Sequence, residues 1–80
     1  MKNDEIIFEK TYDFRGLKCP LPVLKTRRAL KSHHKGQVIK ILSDDPAANL
    51  DFIHFCEVSG NILLENVEED KNLIFFIKKI

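Results

Sequence analysis

Eighty residues suffice for one small sheet-and-helix core and leave no room for a second, so one domain spanning residues 1–80 is expected. A composition of 44% hydrophobic and 31% charged residues excludes a disordered chain, and the longest apolar run, Leu73 to Ile77, is far below the ~18 residues of a membrane span. The net charge of +1 hides opposed halves, +6 over residues 1–40 (ten Lys/Arg, four Asp/Glu) and −5 over residues 41–80 (three against eight), which neutralise on folding or leave a basic face for an acidic partner or RNA.

Met1-Lys2-Asn3-Asp4-Glu5 lacks the apolar segment of an export signal, so a cytoplasmic location with reduced thiols is the expectation. From Ile6 to Asp13 the pattern alternates loosely, with Ile6, Phe8 and Tyr12 on one face and Glu9, Thr11 and Asp13 on the other, as in a half-buried strand. Phe14 to Lys18 then turns, with Gly16 supplying backbone freedom. A first helix is expected from Pro20 to His34, stopped by Gly36. Its inward stripe would be Val23, Thr26, Ala29 or Leu30, and His33, while Lys25, Arg27, Arg28 and Lys31 face outward. His33 and His34 are expected as solvated caps at its end.

The strand-to-helix junction carries the chemistry. In Gly16-Leu17-Lys18-Cys19-Pro20-Leu21-Pro22, Pro20 suits the first helical position, because its missing N–H is an orphan there and its φ is already set. Cys19 then becomes the expected N-cap, a position where Ser, Thr, Asp or Asn would cap better, and Pro22 has no N–H to be capped. Reactivity explains the sulfur better than helix stability does. Aligned peptide dipoles put about half a positive charge at a helix N-terminus, and thiols there titrate anywhere from ~3.5 to 7.5 rather than ~8.5. Arg15 and Lys18 add charge beside it, so an accessible thiolate is expected; the alternative is a small buried hydrophobe. Asp13 could pair with Arg15 or bond turn amides.

Gln37 to Ser43 reads as the second strand, and Asp44-Asp45-Pro46 as a helix start with Asp45 as N-cap and Pro46 first in the helix. The second helix carries Ala48, Phe52, Phe55, Cys56 and Ser59 as its core stripe and ends at Gly60. Cys56 is expected to be inert packing. Asn61 to Glu68 and Leu73 to Lys79 form a hairpin around Glu69-Asp70-Lys71-Asn72. The order β-α-β-α-β-β predicts an α+β two-layer sandwich, a four-stranded mixed sheet with both helices on one face. Ile74 and Phe76, or their neighbours Phe75 and Ile77, must then line the open face as a candidate contact surface.

Other constellations carry less. Two cysteines 37 positions apart form no Cys-x-x-Cys pair, and the three histidines lack metal-ligand spacing, so neither a local disulfide cycle nor a metal or cofactor site is expected. The basic helix face has no interleaved aromatic platform, and nucleic-acid contact is not expected. A regulatory or RNA-binding module using that face is the competing function.

The segment Asp13-Phe14-Arg15-Gly16-Leu17-Lys18-Cys19-Pro20-Leu21-Pro22-Val23-Leu24-Lys25 resembles the Cys-Pro-x-Pro signature of the TusA/SirA-like sulfur carriers. Asp45-Pro46-Ala47, the Asp51-x-x-x-Phe55-Cys56 run, Gly60 and the closing hairpin stand in that family's order, so the similarity spans nearly the whole chain. The resemblance implies the same sandwich and a persulfide on Cys19, received from a cysteine desulfurase or rhodanese-type donor and passed to an acceptor protein. The supporting residues would be Asp13, Arg15, Gly16, Lys18, Pro20 and Pro22. Leu21, where tRNA-thiolating members commonly carry an acid, and Asn61, where the family often shows His, are departures.

Overall fold

The computed structural model describes residues 6–80, and Met1–Glu5 lie outside them. The elements run β1 (Lys10–Asp13), α1 (Leu21–Leu30), β2 (Val38–Ser43), α2 (Ala48–Ser59), β3 (Ile62–Glu69) and β4 (Asn72–Lys78). The sheet order is β1-β2-β4-β3, with β1 parallel to β2 and the other pairs antiparallel. This is the expected mixed sheet in the expected order.

Alternation along β2 decides which face is core. Ile39, Ile41 and Ser43 are buried while Val38, Lys40 and Leu42 are only half-buried. Paired to them, Phe75 and Ile77 of β4 join Leu30, Ala48, Phe52 and Cys56 in the core between sheet and helices. The rings of Phe52 and Phe75 meet at 4.6 Å and tie α2 to the centre of the sheet. Ile74 and Phe76 therefore occupy the opposite face. Phe76 is nonetheless only 3% exposed, because Phe8 packs on its ring at 5.7 Å and the Lys40 ammonium sits over both rings. The expected open apolar patch is thus partly covered by the chain itself.

Several boundaries differ from the sequence pattern, each for a local reason. The first strand begins at Lys10 rather than Ile6, because the chain bends at Glu9 and Phe8 crosses to the Phe76 side, leaving Phe8 and Tyr12 on opposite faces. Helix α1 stops at Leu30, and the next three amides turn back by i→i−3 bonds. The Lys79 ammonium takes the Leu30 carbonyl at 2.7 Å, fixing that end to the C-terminal strand. His33 is not a solvated cap: it is half-buried, with Tyr12 Oη 2.8 Å from Nε2 and Gln37 Oε1 3.1 Å from Nδ1. Helix α2 starts at Ala48, with Ala47 and not Asp45 as its N-cap residue. It ends as expected at Gly60, whose φ of 86° is the left-handed cap conformation. Ser59, placed on the inward stripe by spacing, is exposed in the last turn of α2. The β3–β4 turn is narrowed to Asp70 and Lys71, both at positive φ (47° and 69°).

Candidate functional site

The loop from Phe14 to Pro20 carries Cys19 from β1 to the head of α1. Gly16 adopts φ 90°, a conformation open to glycine at no steric cost, and its amide donates to Asp44 Oδ1 at 2.9 Å. The Cys19 amide donates to Asp45 Oδ2 at 2.5 Å. The other oxygen of Asp45 accepts from the Ala47 amide at 3.1 Å, so a single carboxylate joins the thiol loop to the approach of α2. These two amides and Lys18 nearby hold the Asp45 carboxyl below its ordinary range. Local bonds complete the loop: Leu17 N–H to the Phe14 carbonyl and Leu21 N–H to the Lys18 carbonyl. The Cys19–Pro20 peptide is cis.

Cys19 is exposed, and the two prolines differ: Pro20 lies on the surface while Pro22, within α1, is buried. The expected capping arrangement is shifted by one residue. Pro20 is the N-cap residue and Leu21 the first helical one, so Pro22 is second in the helix and Cys19 sits one residue before the cap. The sulfur is beside the dipole rather than at its tip.

The expected cationic surroundings also need correction. Arg15 does not face the thiol freely: its Nε and one terminal nitrogen hold both oxygens of Asp13 at 2.8 and 2.7 Å, and its amide takes Asp13 Oδ1 at 3.1 Å. That pairing lowers the Asp13 carboxyl to about 2 and raises Arg15. Of the two expected cations, only Lys18 is left without such a partner on its own loop. Carboxylates dominate instead. The Asp51 carboxylate, from the first turn of α2, favours the protonated thiol, and with partial desolvation and the charge of Asp45 it pushes Cys19 above its ordinary value. This direction is opposite to the lowered thiol pKa expected from the helix N-terminus and the two cations.

Asp44, Asp45 and Asp51 are the residues the local pattern could not place in the site. Asp45-Pro46 reads as a helix start, and its bond to an amide 26 positions upstream has no short-range signature. Asp51 also lines a shallow groove between the helices with Pro20, the residue after Cys19, and Val23, His54, Phe55 and Val58. A larger cleft on the hairpin side of Asp44, walled by Asn49, Asn66 and Lys71, contains no cysteine. Cys56 is buried in the core, where desolvation raises its thiol to about 11. No cluster of three or more metal-ligating side chains occurs among the described residues, and no described helix is long and apolar enough to cross a membrane.

The family model described as "Sulfurtransferase TusA" matches residues 10–79. A putative sulfur carrier protein of Aquifex aeolicus is 42% identical over 89% of this chain, which spans 36% of that relative's length. The sulfur carrier protein TusA of Allochromatium vinosum is 39% identical, over 90% of this chain and 95% of its own. Among solved structures, the SirA-like protein of Desulfitobacterium hafniense superposes with a TM-score of 0.72 at 27% identity, covering 88% of this chain and 95% of that one. With the match running from β1 through the end of β4, the chain belongs to the TusA family.

Proposed function

We propose that this protein is a cytoplasmic sulfur carrier that holds sulfane sulfur as a persulfide on Cys19 and relays it to an acceptor protein. The observation that carries the reading is the exposed Cys19 thiol on a loop pinned by Asp44 and Asp45, in a chain of the TusA family. A pinned loop lowers the ordering cost when two protein surfaces close over one sulfur atom.

In loading, the ionised Cys19 sulfur attacks the outer sulfur of a donor persulfide R–S–SH. The new S–S bond forms on Cys19 as the donor S–S bond breaks, and the donor leaves as thiolate, which takes up the proton that Cys19 gave. In unloading, an acceptor thiolate attacks the outer sulfur of Cys19–S–SH and Cys19 departs as thiolate. Neither step changes the net oxidation state of the pair. The other cysteine is buried in the core, so it cannot reach the persulfide from its place in the fold, and the cargo leaves only to a partner. The donors proposed are a cysteine desulfurase or a rhodanese-type protein, and tRNA thiolation is one destination for sulfur carried in this way.

Incubation with a cysteine desulfurase and cysteine tests the reading by intact mass. A gain of one sulfur that disappears in Cys19→Ser supports it. No gain in the native protein, or a gain that survives Cys19→Ser, contradicts it.

A further inference from the structure

The corner between β2 and α2 reaches back to the thiol loop through hydrogen bonds to its backbone. Ser43, fully buried at the end of β2, accepts the Asp45 amide on Oγ at 3.3 Å, which anchors Asp45 to the core. The Asp45 carboxylate then accepts two amides at once, Cys19 N–H on Oδ2 at 2.5 Å and Ala47 N–H on Oδ1 at 3.1 Å. The neighbouring Asp44 takes the Gly16 amide, three residues before the thiol. Asp45 is therefore the side chain that bonds the backbone of Cys19 itself. Other loop amides are also occupied: Arg15 N–H by Asp13, Leu17 N–H by the Phe14 carbonyl and Leu21 N–H by the Lys18 carbonyl, while Pro20 and Pro22 have none. Between Arg15 and Pro22 only the Lys18 amide is left without an acceptor among the described residues, so the loop forms no nest of N–H groups to cradle an anionic sulfur.

We propose that Asp45 is a positioning residue for the carrier reaction, fixing the backbone of Cys19, and so the place from which its sulfur meets a second protein, without stabilising charge on that sulfur. The proposal rests on the carrier reading above. A carboxylate beside a thiol disfavours thiolate, so Asp45 does not serve by activating the nucleophile; what it supplies is geometry. Sulfur transfer between two proteins brings both active sites to bonding distance of one atom, and a loop already held in one conformation has less freedom to lose on docking. A carboxylate suits the task, because its two oxygens take both amides and charge-assisted bonds hold more firmly than neutral ones. With the loop amides occupied, the donors or cations that stabilise the departing thiolate come from the partner's surface.

The test separates place from charge in the full chain, with Cys56→Ala as the common background so that one thiol reports, and each variant checked for native circular dichroism. In Asp45→Asn, which keeps one acceptor oxygen and loses the charge, two rates should move apart. Iodoacetamide, a small reagent that needs no ordered loop, should alkylate Cys19 at pH 7 as fast as in the parent protein or faster, because a nearby negative charge is gone. Sulfur uptake from a cysteine desulfurase and cysteine, followed by intact mass against carrier concentration, should show KM raised about tenfold, the effect of losing one charge-assisted hydrogen bond that orders the loop. The Cys19 amide proton, read by NMR without any sulfur donor, should move upfield in Asp45→Asn as its bond to a carboxylate is lost. Asp44→Asn, which affects the Gly16 amide, should leave that proton near its parent position. An amide proton unmoved in Asp45→Asn overturns the proposal. So does a KM at or below the parent value in the folded variant, which would leave Asp45 an electrostatic or merely structural role. If the parent protein itself takes up no sulfur, the carrier reading fails, and the amide proton still decides whether Asp45 holds Cys19.

Discussion

Replacing the buried cysteine by serine isolates what Cys56 contributes. Its sulfur is packed in the core with Phe52, Ile77 and their neighbours, and the residue is 6% exposed. Cys56→Ser puts a hydroxyl into an apolar cluster, and an unpaired buried hydroxyl costs about 1 to 3 kcal/mol. A serine in a helix can donate to the carbonyl four residues back, here that of Phe52, which places the expected cost near the low end, about 1 to 2 kcal/mol. For a domain of this size 1 kcal/mol moves Tm by about 4 to 8 °C, so a fall of about 4 to 16 °C is expected in thermal unfolding followed by circular dichroism. Cys56→Ala leaves a small void without a stranded polar atom and should cost about 1 kcal/mol or less. The pH dependence supplies a second sign. Burial raises the folded-state thiol from 9.0 to about 11, so its contribution is fully present below the unfolded value and is lost as pH rises through that interval; both variants should lack this loss. Sulfur loading should continue in both at temperatures where they are folded. Equal Tm for native and Cys56→Ser, or loss of loading in folded Cys56→Ser, would refute the assignment of Cys56 to packing.

Two other perturbations probe the frame around the site. Arg15→Ala should return the Asp13 carboxyl, read by NMR titration, from about 2 toward its ordinary 3.8. The pair's contribution is present above 3.8 and lost as pH falls toward 2; both groups are about half exposed, so little change in Tm is expected at pH 7. Thr26 is fully buried on α1 and its hydroxyl is the one side-chain polar atom found buried without a partner among the described residues. Thr26→Val keeps the shape and removes that atom, so denaturant unfolding should show equal or greater stability, by up to about 1 kcal/mol. A loss of more than that would mean the hydroxyl has a partner, such as an ordered water.

The periodicity of the sequence carried the fold because each core face repeats over a whole element. Ile39 and Ile41 alternate with Lys40, and Ala48, Phe52 and Cys56 recur every fourth residue, so the strand and helix faces are written locally. The strand pattern reaches back past Lys10 because Phe8 is apolar for another reason: it covers Phe76 from the far side of the sheet. The nucleophile was legible in Gly16 to Pro22, where glycine, cysteine and two prolines mark one junction. Its electrostatics were not. The Arg15–Asp13 pair is local and is one of the options the sequence offers for Asp13, whereas Asp45 and Asp51 lie 26 and 32 positions from Cys19, a distance closed only by the tertiary fold. Charge near a site in sequence is a poor guide when its partner comes from the other half of the chain.

Peptide mapping after exposure to an isotopically labelled persulfide donor tests the central claim most directly. Label should appear as a single added sulfur on the peptide containing Cys19 and move to an acceptor protein when one is added. Label on the Cys56 peptide, or label on Cys19 that no acceptor thiol can remove, would contradict the account.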